Sequence, residues 1–270
     1  MTNHSIPFAY EFTKEFWNKL STIFRLYRKI CNIRKYDAVI AVSPLAAEYI
    51  RLYYPQGNIH IIPPPVDEEF FHCEGTKEEL GFDEDDKIVL FVGRMSLKKG
   101  LRFAIQAFKF VADSEPKAKL CIVGPLDRMP RMIASFLTGP IESWGLLDRI
   151  IFTGKVSREV LKKFYAASDV FIFPSQGGES FGIVLLEAMA AGKPIVTTHG
   201  GALGTYIRKY RLGFVTGADI TKFAASIVAL LRNPDIVASM GERARRFARI
   251  FSWDEAFRRI DSIYREVMYG

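Results

Sequence analysis

The sequence predicts an α/β protein built on a doubly wound parallel sheet, with a partial remnant of a second α/β domain ahead of it. Three observations lead there. From about residue 87 short apolar runs alternate with stretches of helical pattern. The runs are apolar almost without interruption, which marks strands covered on both faces. Only two such runs precede Pro63–Pro65, too few for a complete independent sheet.

The elements follow in order. Residues 11–33 place Phe12, Phe16, Leu20, Ile23, Tyr27 and Ile30 three or four apart, so they line one face of a helix. YDAVIAVS (36–43) reads as a strand, PLAAEYIRLYY as a helix, and NIHIIPPPV (58–66) as a strand ending in prolines. The acidic stretch 71–86 is expected to be a linker. Six strands are then expected at 87–93, 119–124, 149–154, 169–175, 193–198 and 212–217. Between them lie helices near 100–112, 157–166, 182–191 and 219–232.

With 270 residues the chain has room for one large or two small domains. Hydrophobic residues make up 49% and charged residues 25%, a balance that suits a soluble globular protein. No apolar run approaches the roughly 18 residues that cross a bilayer. The start, MTNHSIPFAYEF, lacks the layout of a signal peptide. Cys31, Cys73 and Cys121 are scattered and show no metal-ligand spacing, so they read as reduced thiols of a cytoplasmic protein. The net charge of +7 favours anionic partners. No nucleic-acid-binding motif accompanies it, so nucleic acid is set aside as a partner.

Two segments carry chemistry. GRMSLKKG (93–100) sits between the first strand of the main sheet and a helix, and parallel sheets bind ligands at the carboxyl ends of strands. Its glycines allow close backbone approach, while Arg94, Lys98 and Lys99 suit a diphosphate. It is not a Walker loop, and a plain solvated basic turn fits these residues equally well. In PSQGGESFGIVLLEAMAAGKP (174–194) a strand ends, a glycine-rich loop bears Glu179, and a helix begins near Ser180–Gly182. The free N–H groups of a helix start receive phosphate. Glu187, eight positions after Glu179, offers hydrogen-bond acceptors to sugar hydroxyls. The bland alternative pairs Glu187 with a structural Arg or Lys and leaves Glu179 as a residue of the helix start.

The interval from Glu179 to Glu187 resembles the E-x7-E signature of the group-1 (family 4) glycosyltransferases of GT-B fold. GRMSLKKG resembles the family's G-R-x4-K-G loop, and FTGKVSREVLKKFYAASDVFIFPS the segment before its signature. FSWDEAFRRIDSIYREV resembles its C-terminal helix, and YDAVIAVSPLAAEYI and IIPPPVDEEFF its last N-domain strand and hinge. These segments keep the family's order and together cover about residues 36–268.

The resemblance implies a Rossmann-like donor-binding half over 71–250, preceded by an acceptor-side remnant and hinge over 1–70. A C-terminal helix over 251–270 would pack back toward the N-terminal part. It implies transfer of sugar from a nucleotide-sugar to a carbohydrate or lipid-linked acceptor, with retained configuration. No metal and no cofactor would be needed beyond the nucleotide-sugar substrate. Arg94 and Lys99 would hold the diphosphate, and Glu179 would contact the donor sugar. Gly93, Ser180 and the amides of Phe181, Gly182 and Ile183 would line the phosphate and sugar, Glu187 would bind ribose, and Lys155–Val156 would lie by the base. The alternative is a non-catalytic nucleotide-sugar-binding module, or a fragment, that needs a separate acceptor-binding protein.

The sequence departs from the family in places. Prolines replace the hinge's usual Asn-Gly, and THGGALGTYI (198–207) lacks the Pro-Glu that follows the glycine pair. By the resemblance, most of an acceptor domain would be expected ahead of YDAVIAVS, and His199, which could approach the site, reads more readily as structural. The Asp83–Asp86 run has a D-x-D-like pattern but precedes a strand, and is expected to be solvated linker. Helix 11–33 carries Lys14, Lys19, Arg25, Arg28 and Lys29 beside aromatic residues, which suits contact with the inner face of a membrane. Packing of its apolar stripe on a sheet is the favoured reading.

Overall fold

The computed structural model describes residues 36–95, 97–125, 139–176 and 179–269. The expected helix 11–33 lies outside them. The described chain forms two compact units, one holding residues 36–62 together with 260–269, the other running from Pro63 to Arg259.

In the first unit, strands β1 (Val39–Ala41) and β2 (Ile59–Ile61) pair in parallel, with Val39 opposite Ile59. Helix α1 (Pro44–Arg51) joins them. Its start is set by Ser43, whose Oγ accepts the Ala46 N–H at 3.1 Å, and by Pro44 in the first turn.

The second unit carries a six-stranded parallel sheet: β3 (Lys87–Val92), β4 (Ala118–Val123), β5 (Ile150–Gly154), β6 (Val170–Phe173), β7 (Ile195–Thr197) and β8 (Gly213–Val215). Their spatial order is β5-β4-β3-β6-β7-β8. Every pairing is parallel, so all the carboxyl ends share one edge. Burial on both faces explains the continuous apolar runs. Along β3, Ile88, Leu90 and Val92 turn to one core, while Val89 and Phe91 turn to the other.

Helices α2 (Leu101–Ser114) and α6 (Ile220–Leu231) cover one face, joined by the edge-on ring pair Phe103–Phe223. Helices α3 (Arg158–Ala167), α4 (Ile183–Ala190) and α7 (Pro234–Ala248) cover the other. Ser157 and Asp219 cap α3 and α6 by accepting the N–H groups of Val160 and Lys222. A short helix, α5 (Gly204–Lys209), precedes β8, and α8 (Trp253–Tyr269) ends the chain. Helix α7 is absent from the sequence expectation. It packs on α4 so closely that a β-carbon on Gly241 would stand 2.1 Å from the Gly192 carbonyl oxygen. Among the described residues no single helix is long and apolar enough to cross a membrane.

The expected linker at 71–86 needs correction. Phe70, Phe71 and Phe82 are buried in the same core as β3 and α4, so hydrophobic burial pins this stretch to the sheet. Nor is the acidic run wholly solvated. Asp86 is 2% exposed, and its carboxylate bonds Lys119 Nζ at 2.7 Å and accepts the Asp83 N–H at 2.9 Å. Asp85 pairs with Lys117 at 3.0 Å.

Candidate functional site

Strands β3 and β6 are neighbours, but β3 leads by way of α2 to β4 on one side, and β6 to β7 on the other. The sheet reverses its winding between them, and a crevice opens at their carboxyl ends. The two segments singled out from the sequence leave the sheet there.

Gly93 follows β3, and a β-carbon on neighbouring Gly124 would fall 2.0 Å from the Gly93 oxygen. Arg94 is exposed, while Met95 turns inward. A single helical turn, Leu97–Lys99, ends at Gly100, where φ is +75°. There a side chain is excluded twice, by the left-handed backbone and by the Pro174 oxygen, which a β-carbon would meet at 1.8 Å. The Gln176 N–H donates to the Lys98 oxygen at 3.3 Å. Lys99 Nζ is ion-paired with Glu179, each partly buried. Segments eighty residues apart are thereby latched at the backbone and through a charge pair.

Beyond Glu179 the chain passes exposed Ser180 and buried Phe181 to Gly182, whose φ of +91° turns it into α4. The helix starts at Ile183 and not at Ser180, because Gly182 lies outside helical backbone space. In its first turn the Leu185 N–H donates to the Gly182 oxygen at 2.9 Å, while the N–H groups of Ile183 and Val184 precede the first intrahelical bond. The glycine pair after β7 joins this rim, since a β-carbon on Gly201 would meet the Glu179 and Phe181 oxygens at 3.1 and 3.4 Å. Thr198 Oγ1 donates to the Ser175 oxygen at 2.5 Å and ties β7 to the end of β6. His199 is exposed just beyond β7.

Glu187 lies just over one turn into α4. Its Oε2 accepts the Tyr165 hydroxyl at 2.8 Å, so its direct partner is a phenol on α3, not the lysine or arginine of the bland reading. Burial raises the Glu187 pKa, an effect the Tyr165 hydrogen bond and the nearby Arg158 charge only partly offset. Arg158 is itself paired with Asp67 and lies 3.3 Å from Glu69. Lys193, also near this core, donates to the Ala166 and Ser168 oxygens at 2.7 and 2.8 Å. Its burial lowers its pKa to about 8. Lys155 and Val156 follow β5 on the same edge of the sheet, two strands from β3, with Lys155 exposed and Val156 packed on the core.

The structure thus gathers Gly93, Arg94, Lys99, Glu179 and the start of α4 at the switch point. It sets Lys155–Val156 farther along the same edge and holds Glu187 inside its helix. Sequence reasoning missed Tyr165, Gln176 and the Gly201 contact. The glycine pair was visible as a pattern, whereas a tyrosine among the apolar residues of α3 gave no sign that its hydroxyl has a partner.

A doubly wound parallel sheet with a cationic loop and a helix start meeting at its switch point has the Rossmann-like architecture of one half of a GT-B fold. Residues 74–247 match the sequence family described as glycosyl transferases group 1, and residues 1–70 match glycosyltransferase family 4. The chain belongs to the group 1 glycosyl transferases. It is 32% identical over 240 residues to a D-inositol 3-phosphate glycosyltransferase of Xylanimonas cellulosilytica, covering 84% of this chain and 56% of that protein. It is 34% identical over 187 residues to a mannosylfructose-phosphate synthase of Agrobacterium fabrum, covering 66% and 41%. The chain therefore spans about half the length of the curated relatives it matches. Among solved structures, sucrose-phosphate synthase from Thermosynechococcus elongatus superposes with a TM-score of 0.76 at 26% identity, covering 90% of this chain and 61% of that one. Anabaena HepE, solved with UDP-glucose, shares the fold with a TM-score of 0.72 at 22% identity, covering 85% and 64%.

Proposed function

We propose that this chain binds a nucleotide-sugar at the β3/β6 switch point and acts in glycosyl transfer with retained anomeric configuration and without a metal. The observation that carries the reading is the latch between the two strand-end loops, which holds Arg94, the Lys99–Glu179 pair and the start of α4 on one rim. Cations and backbone N–H groups converging in this way stabilise a diphosphate as negative charge builds on it during departure, the role a metal fills elsewhere. A diphosphate bound by Arg94 competes with Glu179 for Lys99. Glu179, released, then faces the hydroxyls of the donor sugar. Glu187 supplies a carboxylate for vicinal hydroxyls of the ribose, and Lys155–Val156 lie by the base.

The sugar acceptor, carbohydrate or lipid-linked, is part of the proposal for the whole enzyme, as are the relatives' activities on phosphorylated acceptors. A second reading is a non-catalytic donor-binding module, or a fragment, that needs a separate acceptor-binding partner.

Calorimetry with UDP-, GDP- and ADP-sugars tests the donor site. One of them is expected to bind, and Arg94→Ala or Lys99→Ala should weaken it about tenfold, roughly 1.4 kcal/mol. Silence with all three overturns the assignment. Activity unchanged by EDTA supports the metal-free step, and loss on chelation that magnesium restores rejects it. The anomeric configuration of the product, read by NMR, decides retention.

A further inference from the structure

Beyond the glycine pair, α5 packs on α7 and leaves large side chains exposed. Tyr210, Leu212, Phe247 and Ile250 line an open hollow of about 350 Å³, with Arg243 and Arg246 completing it. Tyr206 and Tyr210, one turn apart, are stacked with ring centres 6.4 Å apart, and both rings rest on Phe247. These rings are nonetheless exposed, Tyr206 by 41% and Tyr210 by 43%, and Ile250 is 58% exposed. Three large apolar side chains side by side in water form a patch of the kind that marks an interaction surface.

The charge around the hollow is mostly positive. Arg208, Lys209 and Arg211 follow each other beside Tyr210, and no acidic residue occurs between Glu187 and Asp219. From 241 to 250 Glu242 is the single acid, bonded to Arg246 at 2.8 Å, against Arg243, Arg245, Arg246 and Arg249. On α8 Arg259 and Arg265 each face an acid one turn away, Glu255 and Asp261, as Arg246 faces Glu242, whereas Arg243 donates to Ser239 Oγ and the Arg211 oxygen. Lys209 and Arg249 instead lie over the rings of Tyr210 and Phe71 at 5.3 and 5.0 Å. Arg211 is the one non-glycine residue with positive φ (+55°) among the described residues, and its carbonyl accepts from Arg243 Nε at 3.1 Å. That bond turns the basic chain reversal back onto the hollow's arginine.

We propose that this face docks on an anionic phospholipid bilayer. Tyr206, Tyr210 and Ile250 enter the boundary between headgroups and acyl chains, and the surrounding arginines and lysine meet lipid phosphates. Tyrosines with an apolar body and a polar tip suit that depth. Cations on long stems bury their methylenes while keeping their charge at the headgroups. An acidic peptide would use the cations but leave the apolar hollow and Ile250 without a function. The proposal stands apart from the donor-site reading, since it uses none of those residues.

Flotation of the whole chain with phosphatidylcholine vesicles, with and without about 30% phosphatidylglycerol, is the test. Binding to the anionic vesicles is expected to be at least tenfold tighter and to weaken in high salt. Arg208→Glu with Arg246→Glu should lower it tenfold or more, and Ile250→Glu severalfold. Reversing the same number of charges on α8, Arg258→Glu with Arg265→Glu, should change it less than twofold. Thermal melts of each variant identify any that are unfolded, and Tyr206→Ser with Ile250→Ser replaces any that fail. The proposal is overturned if the wild-type chain stays with the soluble fraction, if the α8 control loses as much, or if folded Ile250 variants bind like wild type.

Discussion

Glu179 and Glu187 bound a single eight-residue interval, yet the fold treats them oppositely. Glu179 sits on the rim, its carboxylate neutralised by Lys99 and partly reached by solvent. Glu187 sits in the helix interior, its charge disfavoured by burial and its carboxylate accepting a hydrogen bond from a neutral phenol. An exchangeable pair costs little to keep and can change partners when another anion arrives. A buried carboxylate without a countercharge of its own lowers stability, so its presence in the otherwise apolar α4 points to use and not to folding. The rim is where the molecule rearranges charge, and the interior is where it holds one acceptor still.

The most severe way to break this contrast is to remove the rim. Gly100→Ala forces a side chain into the Pro174 carbonyl at a left-handed position. Urea unfolding should show a loss of about 3 kcal/mol, with donor binding lost as well. Gly81→Ala has nearly the same φ, +79°, but open space around it. It should cost only about 1 kcal/mol, the backbone strain alone. Equal losses at the two glycines would show that the latch between loops is not what holds the rim.

Tyr165→Phe comes next and acts on the interior. Deleting the hydroxyl leaves the Glu187 carboxylate without its donor and should cost about 1.5 kcal/mol at neutral pH. The loss should shrink in acid, where Glu187 is protonated. A loss that does not change with pH would place the tyrosine's contribution in ring packing against Phe70 and Phe171.

How much of this was legible beforehand follows the same division. The six strands and the helices over 101–114, 158–167, 183–190 and 220–231 were visible because burial on both faces writes continuous apolar runs and periodic stripes into the chain. Helix α7 was not. Its residues 241–249 read mainly as charge, GERARRFAR, and its inward face depends on Gly241 approaching Gly192. The rim residues Arg94, Lys99 and Glu179 announced themselves by type and by glycine spacing, but the contact between Lys99 and Glu179 depends on strand order, which a linear pattern does not encode. The Tyr165–Glu187 bond was hidden for a related reason, because a hydroxyl's partner is fixed by which two helices share a face. Residues 71–86 misled because composition reports mean polarity, while Phe71 and Phe82 decide where the backbone goes.

Glu187→Gln sharpens the contrast with a gain of stability. Glutamine keeps an acceptor for Tyr165 but carries no charge. The folded-state pKa of Glu187 lies above its ordinary 4.5. Its favourable contribution is therefore complete below pH 4.5 and is lost as pH rises through the folded value. The variant should melt about 2–4 °C higher near neutral pH, and the advantage should fade as pH drops toward 4. Nucleotide-sugar affinity should fall in the same variant. A lower melting temperature at neutral pH would mean that the carboxylate is stabilising and that the argument from burial is wrong.

Glu179→Gln should alter stability least, by less than about 1 kcal/mol, because a partly solvated pair contributes little net energy. Its effect belongs to ligand choice. Without Glu179, Lys99 has no carboxylate to give up, so a nucleoside diphosphate should bind as tightly as before or tighter. The same change removes the group that would face the sugar hydroxyls, so the added affinity from the sugar should fall. The informative quantity is the ratio of affinities for nucleotide-sugar and bare diphosphate, measured by calorimetry on wild type and variant. If Glu179 exchanges Lys99 for sugar, the ratio drops while the melting temperature stays within about 2 °C. If both ligands weaken together, the carboxylate holds Lys99 in position instead, and the rim would act as a fixed cradle in place of an exchange site.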